Sequence, residues 1–596
     1  MAKKLTEYEE LQKESALLAS IREKFDTCLA HYSKDHTKIR TLDLVDNGQL
    51  WKALGAKFPP YQILPDTNFV TYVKSNLVAS IYTVAKSAQI QPTSEEDKNL
   101  VVNLNIALEH IWDLLRVGDY QFAAGEWAAL ANLGITQVGW DDSLTAGSGD
   151  AFTKGCVALK NIDPMKFMRD PFATDLETAG YCMTYDVYHK SVFLENPNYK
   201  EKFKEYLVKN TEGGNSFNIP TLSDAKPAGS AKDYFTLITI WIKEENGDIS
   251  ETHVINCEKV LYRKDSIKPK TFPFALLYCN KPRGGRLIGV SEPAKIFANN
   301  VAYNLLDSIA LTAEYKNQRP PKYVSQSSGL NVNAFAKHSD DAGYTFIVNG
   351  DASKAVHYHE YPQINPNLSA YKMDLRTNMQ TVTGVDERYT GRDTGSIITT
   401  GGVEDMLNRV TLVDTPKILN YETYTKRLSS LILGNMILYS QKRVYLVKEK
   451  NSTKYKRLEI DFPSIPDDAI FNYVLNISSD LPKNKQRIAQ SATMLMEKQL
   501  QYQGQGQQVD LITPEEWLSM QDLPNKELFL ERMGIQRNTN AVEEVTSTLF
   551  NYSGLVEKGM DPEDAILATA KTMQDARSGV APMTEAPMPA GTNGMY

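Results

Sequence analysis

The chain has 596 residues, and single hydrophobic cores stop growing at roughly 250–300 residues, so several structural units are expected. Hydrophobic residues make up 42% and charged residues 23%, the balance of an ordinary soluble protein. The net charge is −8 and Lys and Arg never form a long run, which argues against a protein that grips nucleic-acid phosphates statically.

Five cysteines, Cys28, Cys156, Cys182, Cys257 and Cys279, are odd in number, scattered and free of any C-x-x-C pair, so neither a disulfide framework nor a zinc site is expected. The N-terminal MAKKLT lacks an apolar stretch and no segment approaches ~18 continuous apolar residues, so neither secretion nor membrane spanning is expected. Tyr is abundant at 31 copies; its ring and hydroxyl suit protein–protein contacts, although a Tyr-rich fold reads the same way.

Residues 5–33 carry Leu11, Leu17, Leu18, Ile21, Phe25 and Leu29 near helical spacing and predict an amphipathic helix. Helices follow at 68–87 and 97–133, the latter broken near Gly118, and then strands at Gly134–Trp140 and 155–162. Two Asp-Pro dipeptides in 162–174 impose extended or turn geometry, because proline pushes the preceding residue out of the α region. The runs 234–243 and 253–262 alternate as strands, and Asn246-Gly247 between them predicts a type I′ hairpin turn.

From Glu292 to Asn317 an almost unbroken helical pattern is apolar on several sides, which requires neighbours on several sides, and Pro320-Pro321 stop it. A small β-type insert follows, with strands at 322–324, 344–348 and 356–361. Asn365-Pro366-Asn367 then caps a second helix, 368–383. The pattern is a two-helix stalk with a small head. Gly391–Gly402 reads as a mobile loop, and a long helix from Val403 to about Ser440 is expected to kink at Pro416. Short strands at 443–447 and 471–477 precede helices at 484–501, 514–520, 525–550 and 562–577, and the Pro- and Gly-rich residues 580–596 read as disordered.

Chemistry is sparse. His357 and His359 share one strand face, compatible with a metal pair or with two ordinary strand histidines; two ligands are too few for a site. Gly284-Gly285 lacks the G-K-[ST] ending of a phosphate loop and reads as a turn into the long helix. No nucleophile elbow, zincin or kinase set is present, and no cofactor is expected.

The order of these elements over about 60–550 resembles the portal proteins of tailed double-stranded DNA bacteriophages. The segments carrying it are the strand Gly134–Trp140 leading to 162–174, Leu287–Leu306 (LIGVSEPAKIFANNVAYNLL), 383–402 before the proline-containing helix, and Ile477–Lys485 (ISSDLPKNK). The resemblance implies a mainly helical α+β subunit without enzymatic activity, assembled into a ring, typically twelve-fold. It implies a wing over 1–290, stem helices at 291–319 and 367–385, and a clip at 320–366. A tunnel loop at 386–402, a kinked tunnel helix with wing return at 403–475, a crown at 476–580 and a tail at 581–596 complete the assignment.

On this resemblance Arg392, Thr394, Ser396, Ile397, Ile398 and Thr399 would face the DNA channel, and Phe297, Val301, Tyr303 and Leu305 would face the neighbouring subunit. Implied partners are further copies of the chain, the terminase large subunit, a head–tail adaptor, and major capsid and scaffolding proteins. Double-stranded DNA would pass transiently, and no membrane is involved. The implied location is the portal vertex of the virion, with the host cytoplasm during assembly. The acidic balance fits a channel wall that repels phosphate. The alternatives are another ring component of a virion, from the tail or adaptor, and a hidden nuclease or hydrolase.

Overall fold

A computed structural model of the protein describes residues 2–55, 57–92, 98–146, 153–209, 233–339, 341–361, 365–384, 400–448, 455–465, 471–475, 482–504 and 511–521. The fold is α+β, with about half of the described residues in 13 α-helices and the strands gathered into sheets of five, three and two. Two compact units are distinguished, one of Met1–Tyr445 with Glu459–Leu481 and one of Leu446–Leu458 with Pro482–Tyr596. No described helix is long and apolar enough to cross a membrane.

In the first unit the N-terminal helix runs from Ala2 to Asp46, well beyond the expected residue 33. Its buried stripe continues through Ile21, Phe25, Cys28, Tyr32, His36, Ile39, Leu42 and Val45, at spacings of three and four that keep one face inward. Polar residues such as Ser33, Lys34 and Asp35 hide this continuation in the sequence, and a histidine occupies one of the core positions. Phe25 meets Tyr185 edge-on at 5.6 Å, and the Tyr32 hydroxyl donates to the Arg169 carbonyl at 2.9 Å. Both contacts fasten the helix to a five-stranded antiparallel sheet of Phe167–Arg169, Tyr181–His189, Tyr234–Lys243, Ile249–Ile255 and Lys259–Lys264, neighbours in that order. Trp241 on its central strand is fully buried and abuts Phe274, at 4.9 Å, from a second sheet of Gly134–Ala146, Thr153–Ile162 and Phe274–Leu277.

His36 is 2% exposed and neither ring nitrogen has a hydrogen-bond partner. Burial lowers its pKa to about 4, against a smaller opposing pull from Asp35. An unfolded histidine protonates near pH 6.5, so the folded state loses stability progressively as pH falls through the window from about 6.5 to 4, by up to ~3 kcal/mol. A His36→Phe variant is expected to flatten that part of the curve of urea midpoint against pH; an unchanged acid limb would assign the sensitivity to other groups.

The hairpin expected at 234–262 is present but built differently. The Glu244 N–H donates to the Asp248 carbonyl and the Gly247 N–H to the Glu244 carbonyl, and of the central pair only Gly247 has positive φ, at +82°. This is a type I turn closed by a left-handed glycine, not type I′. The run 253–262 is two strands, not one. The paired positive φ values fall at Asn256 (+48°) and Cys257 (+55°), where the Glu258 N–H donates to the Ile255 carbonyl. Asn tolerates that geometry, and its Oδ1 also accepts the Thr236 N–H at 2.9 Å, replacing a lost rung of the sheet.

The helix Glu292–Gln318 begins at Ser291, whose hydroxyl accepts the Ala294 N–H at 3.2 Å, and ends before Pro320-Pro321. It packs on Leu368–Thr383, closed by Gly384 at φ +68°. Asn367 precedes that helix without a side-chain cap; Asn365 instead accepts the Asn367 N–H. Between the two helices, Lys322–Val324 pairs antiparallel with Val356–Tyr358. The strand expected at 344–348 does not form, because Tyr344 and Phe346 turn their rings onto His338, at 4.5 Å, and Phe335, at 5.3 Å. The long helix spans Thr400–Tyr439 and continues through Pro416. Gly401 and Gly402, read from the sequence as the end of a loop, are therefore helical.

Across the first unit, Gln89–Gln91 pairs with Asn472–Val474. In the second unit the helices Pro482–Gly504 and Pro514–Met520 pack together: Gln499 Oε1 accepts the Leu511 and Ile512 N–H groups at 2.9 Å, and Thr513 and Glu516 form a capping box. The helices expected at 525–550 and 562–577 and the tail from 580 lie outside the described residues.

Candidate assembly surface on the helical stalk

The first stalk helix inverts the usual amphipathic arrangement. Asn300, Asn304, Ser308 and Thr312, four residues apart along one face, are buried, while Ile309 is 54% exposed and Leu311 and Tyr315 are exposed as well. The buried polar row receives an extended strap just before the helix Phe69–Leu77. Asn300 Oδ1 accepts the Phe69 N–H at 3.3 Å, and Asn304 accepts the Thr67 N–H at 2.7 Å and donates to its carbonyl at 3.0 Å. Ser308 donates to the Ile63 carbonyl at 2.6 Å and accepts from Gln62, and Thr312 accepts the Ile63 N–H at 3.0 Å. An extended segment has no helix or sheet of its own to satisfy its backbone, so side chains on the neighbouring helix supply the partners. Asn304→Ala leaves both polar groups of Thr67 unpaired and is expected to cost about 1–3 kcal/mol. Limited proteolysis should then cut near residues 60–67 faster than in the parent; equal cutting rates would remove the strap from the account.

The four residues expected at a subunit interface divide. Phe297 and Val301 are half-buried against the chain's own cluster of Leu42, Val45, Leu50, Val70 and Leu130. Tyr303 is half-buried, meets Phe69 edge-on at 5.2 Å, and lies under the Lys372 ammonium at 4.9 Å. Lys372 also pairs with Asp307, tying the two stalk helices together. Leu305 is half-buried. The exposed apolar side chains of the stalk are others: Ile309, Leu311 and Tyr315 on the first helix and Tyr371, Met373 and Val382 on the second. Spacing alone missed them, because it ranked the apolar residues without showing that a polar strap occupies the remaining face.

At the stalk's base Glu292 accepts from Lys295 at 2.9 Å and from the Asn280 amide at 3.0 Å. The buried Lys417, one residue past Pro416, lies 3.1 Å from Asp414 and 4.0 Å from Glu292. Burial by itself would lower the Lys417 pKa, but Asp414, Cys279 and Glu292 together outweigh it and hold the ammonium above its ordinary range. This cluster fixes the start of the stalk to the long helix.

The insert carries exposed Tyr323, Tyr344, Ile347 and Tyr358. His357 stacks on Tyr323 at 6.4 Å and His359 meets Tyr361 edge-on at 4.5 Å, so the two histidines serve ring packing. Among the described residues no group of three or more His, Cys, Asp or Glu is placed to hold a metal ion. Arg392, Thr394, Ser396, Ile397, Ile398 and Thr399 lie outside the described residues.

A cleft of about 960 Å³ separates the two larger sheets, with a smaller one of about 230 Å³ beside it. Several of their ionisable groups are engaged: Lys166 with Asp186 at 2.8 Å, Lys160 with the Tyr188 hydroxyl at 2.9 Å, and His253 between Glu251 at 3.1 Å and Tyr199 at 2.5 Å. All five cysteines are buried, and burial pushes the Cys28 thiol up to about 11 and Cys257 and Cys279 to about 12, far from the range of a reactive thiolate. No protein-family model matches the chain, and no curated protein matches it.

Proposed function

We propose that the chain is a portal-type ring subunit: a non-enzymatic channel at one capsid vertex through which double-stranded DNA is packaged and ejected. In this reading 1–290 forms an α/β wing, the two stalk helices the stem, 320–366 the clip, 386–399 the tunnel loop, shortened by the helix that begins at Thr400, and 476–580 the crown. The clip docks a terminase large subunit and later a head–tail adaptor, and major capsid and scaffolding proteins surround the ring. The observation that carries the reading is the stalk itself, a helix–insert–helix pair that buries polar residues and exposes Ile309, Leu311, Tyr315, Tyr371 and Met373. Helices that expose apolar side chains need a neighbour to cover them, and a head-to-tail contact between two different faces closes into a ring when its rotation permits. The exposed aromatic residues of the insert suit a docking head. Negative-stain images of the purified protein are expected to show closed rings with a central hole. A field of separate compact particles would refute the reading.

A further inference from the structure

In a chain of net charge −8, the turn Lys281–Arg286 (KPRGGR) places three cations within six residues, and no acidic residue occurs between Asn280 and Ser291. Lys281, Arg283 and Arg286 are all exposed, and none forms an ion pair or side-chain hydrogen bond with a described residue. The backbone beneath them is fixed. Gly284 and Gly285 have φ values of +65° and +69°, and Leu287 and Ile288 are buried in the main core. Arg169, 1% exposed, donates from Nη2 to the Gly285 carbonyl at 2.8 Å and to the Ala173 carbonyl at 2.9 Å, joining this turn to its neighbour at 170–178. A Cβ on Gly285 would sit 3.2 Å from both the Ala173 oxygen and the Thr174 Cα, so the two turns are in close contact.

The neighbouring turn presents Phe172, 91% exposed, on a backbone held by Asp170, which accepts the Phe172 N–H at 3.1 Å. Asp175 likewise accepts the Thr178 N–H at 2.8 Å. Asp170 and Asp175 are held by their own loop and Glu177 is exposed on the same turn, but among the described residues none of the three pairs with Lys281, Arg283 or Arg286. Unpaired cations on a rigid turn beside an exposed ring lose little freedom on meeting a phosphodiester backbone, and each guanidinium can hold one phosphate through two hydrogen bonds.

We infer that the Lys281–Arg286 turn is a contact site for the phosphate backbone of duplex DNA, weak and independent of sequence. The choice of duplex DNA rests on the function proposed above; the cationic turn itself does not. Three phosphate contacts predict a slope of about −2.7 in log K against log salt, a grip that is released readily as DNA moves.

The test is fluorescence anisotropy of the full chain with two short duplexes of unrelated sequence, from low to moderate salt. The parent should bind both equally. Lys281→Ala/Arg283→Ala/Arg286→Ala should bind about tenfold or more weakly at low salt with a flattened salt slope, and Arg283→Lys/Arg286→Lys should keep the slope. Thermal melting checks that the exposed substitutions leave the fold intact. Unchanged affinity or slope in the triple variant, no binding by the parent, or equal binding of polyglutamate would each overturn the inference. Sedimentation of the same samples reads ring formation separately, so failure of this site and failure of the ring reading are distinguishable.

Discussion

Replacing Lys417 by Met is expected to destabilise the first unit by about 3–5 kcal/mol, the usual cost of removing one partner from a buried ion pair. The ammonium lies 3.1 Å from Asp414, and both residues are buried beside Pro416, where the helix lacks one backbone hydrogen bond. Met matches the length of the Lys stem, so packing is largely kept and the loss reports on charge. Because the folded chain holds Lys417 above its ordinary pKa, the parent's share of stability from this group is complete below about pH 10 and is lost as pH rises through the folded value. The variant should therefore lose that alkaline limb. Adding Asp414→Leu should restore much of the loss, since an apolar pair of similar volume replaces the ionic one. Urea midpoints read by tryptophan fluorescence give all three numbers; a single-variant loss under about 1 kcal/mol would show that the cluster is solvated and does not secure the stalk's base.

The second large effect is on assembly. Ile309→Asp combined with Tyr371→Asp puts charges at two positions that are exposed in the single chain. The isolated fold should tolerate them within about 0.5 kcal/mol, as surface changes usually are. Buried against a neighbouring copy, each unpaired carboxylate costs several kcal/mol, and in a closed ring that cost recurs at every contact. The double variant should melt with the isolated parent subunit yet fail to assemble. Val301→Asp reports something else: Val301 packs against the cluster of Leu42, Val45, Leu50, Val70 and Leu130 within one chain, so that variant mixes folding with assembly.

Much of the stalk was legible in the sequence. The run from Glu292 to Asn317, its stop at Pro320-Pro321 and the second helix from Leu368 follow from periodicity and proline chemistry alone. The face in use was not legible. Asn300, Asn304, Ser308 and Thr312 stand at four-residue spacing and could have been read as a polar row, but their partner is a strap more than 230 residues away in sequence. Local pattern also failed where tertiary packing supplies the missing signal. His36 occupies a core position that its polarity disguises, and Asn256-Cys257 forms the type I′ turn that Asn246-Gly247 advertises. Tyr344 and Phe346 leave a strand pattern, the first to stack on His338 and the second to meet Phe335 edge-on.

In the proposed ring the exposed apolar side chains of the stalk meet another copy of the same chain. Sedimentation equilibrium of the parent and of Ile309→Asp/Tyr371→Asp, matched in concentration, tests it most directly. The expected result is a discrete parent assembly at an integral multiple of 66.9 kDa, twelve for the proposed ring, and a folded monomer for the double variant. A monomeric parent, or a double variant that assembles as fully as the parent, would contradict it.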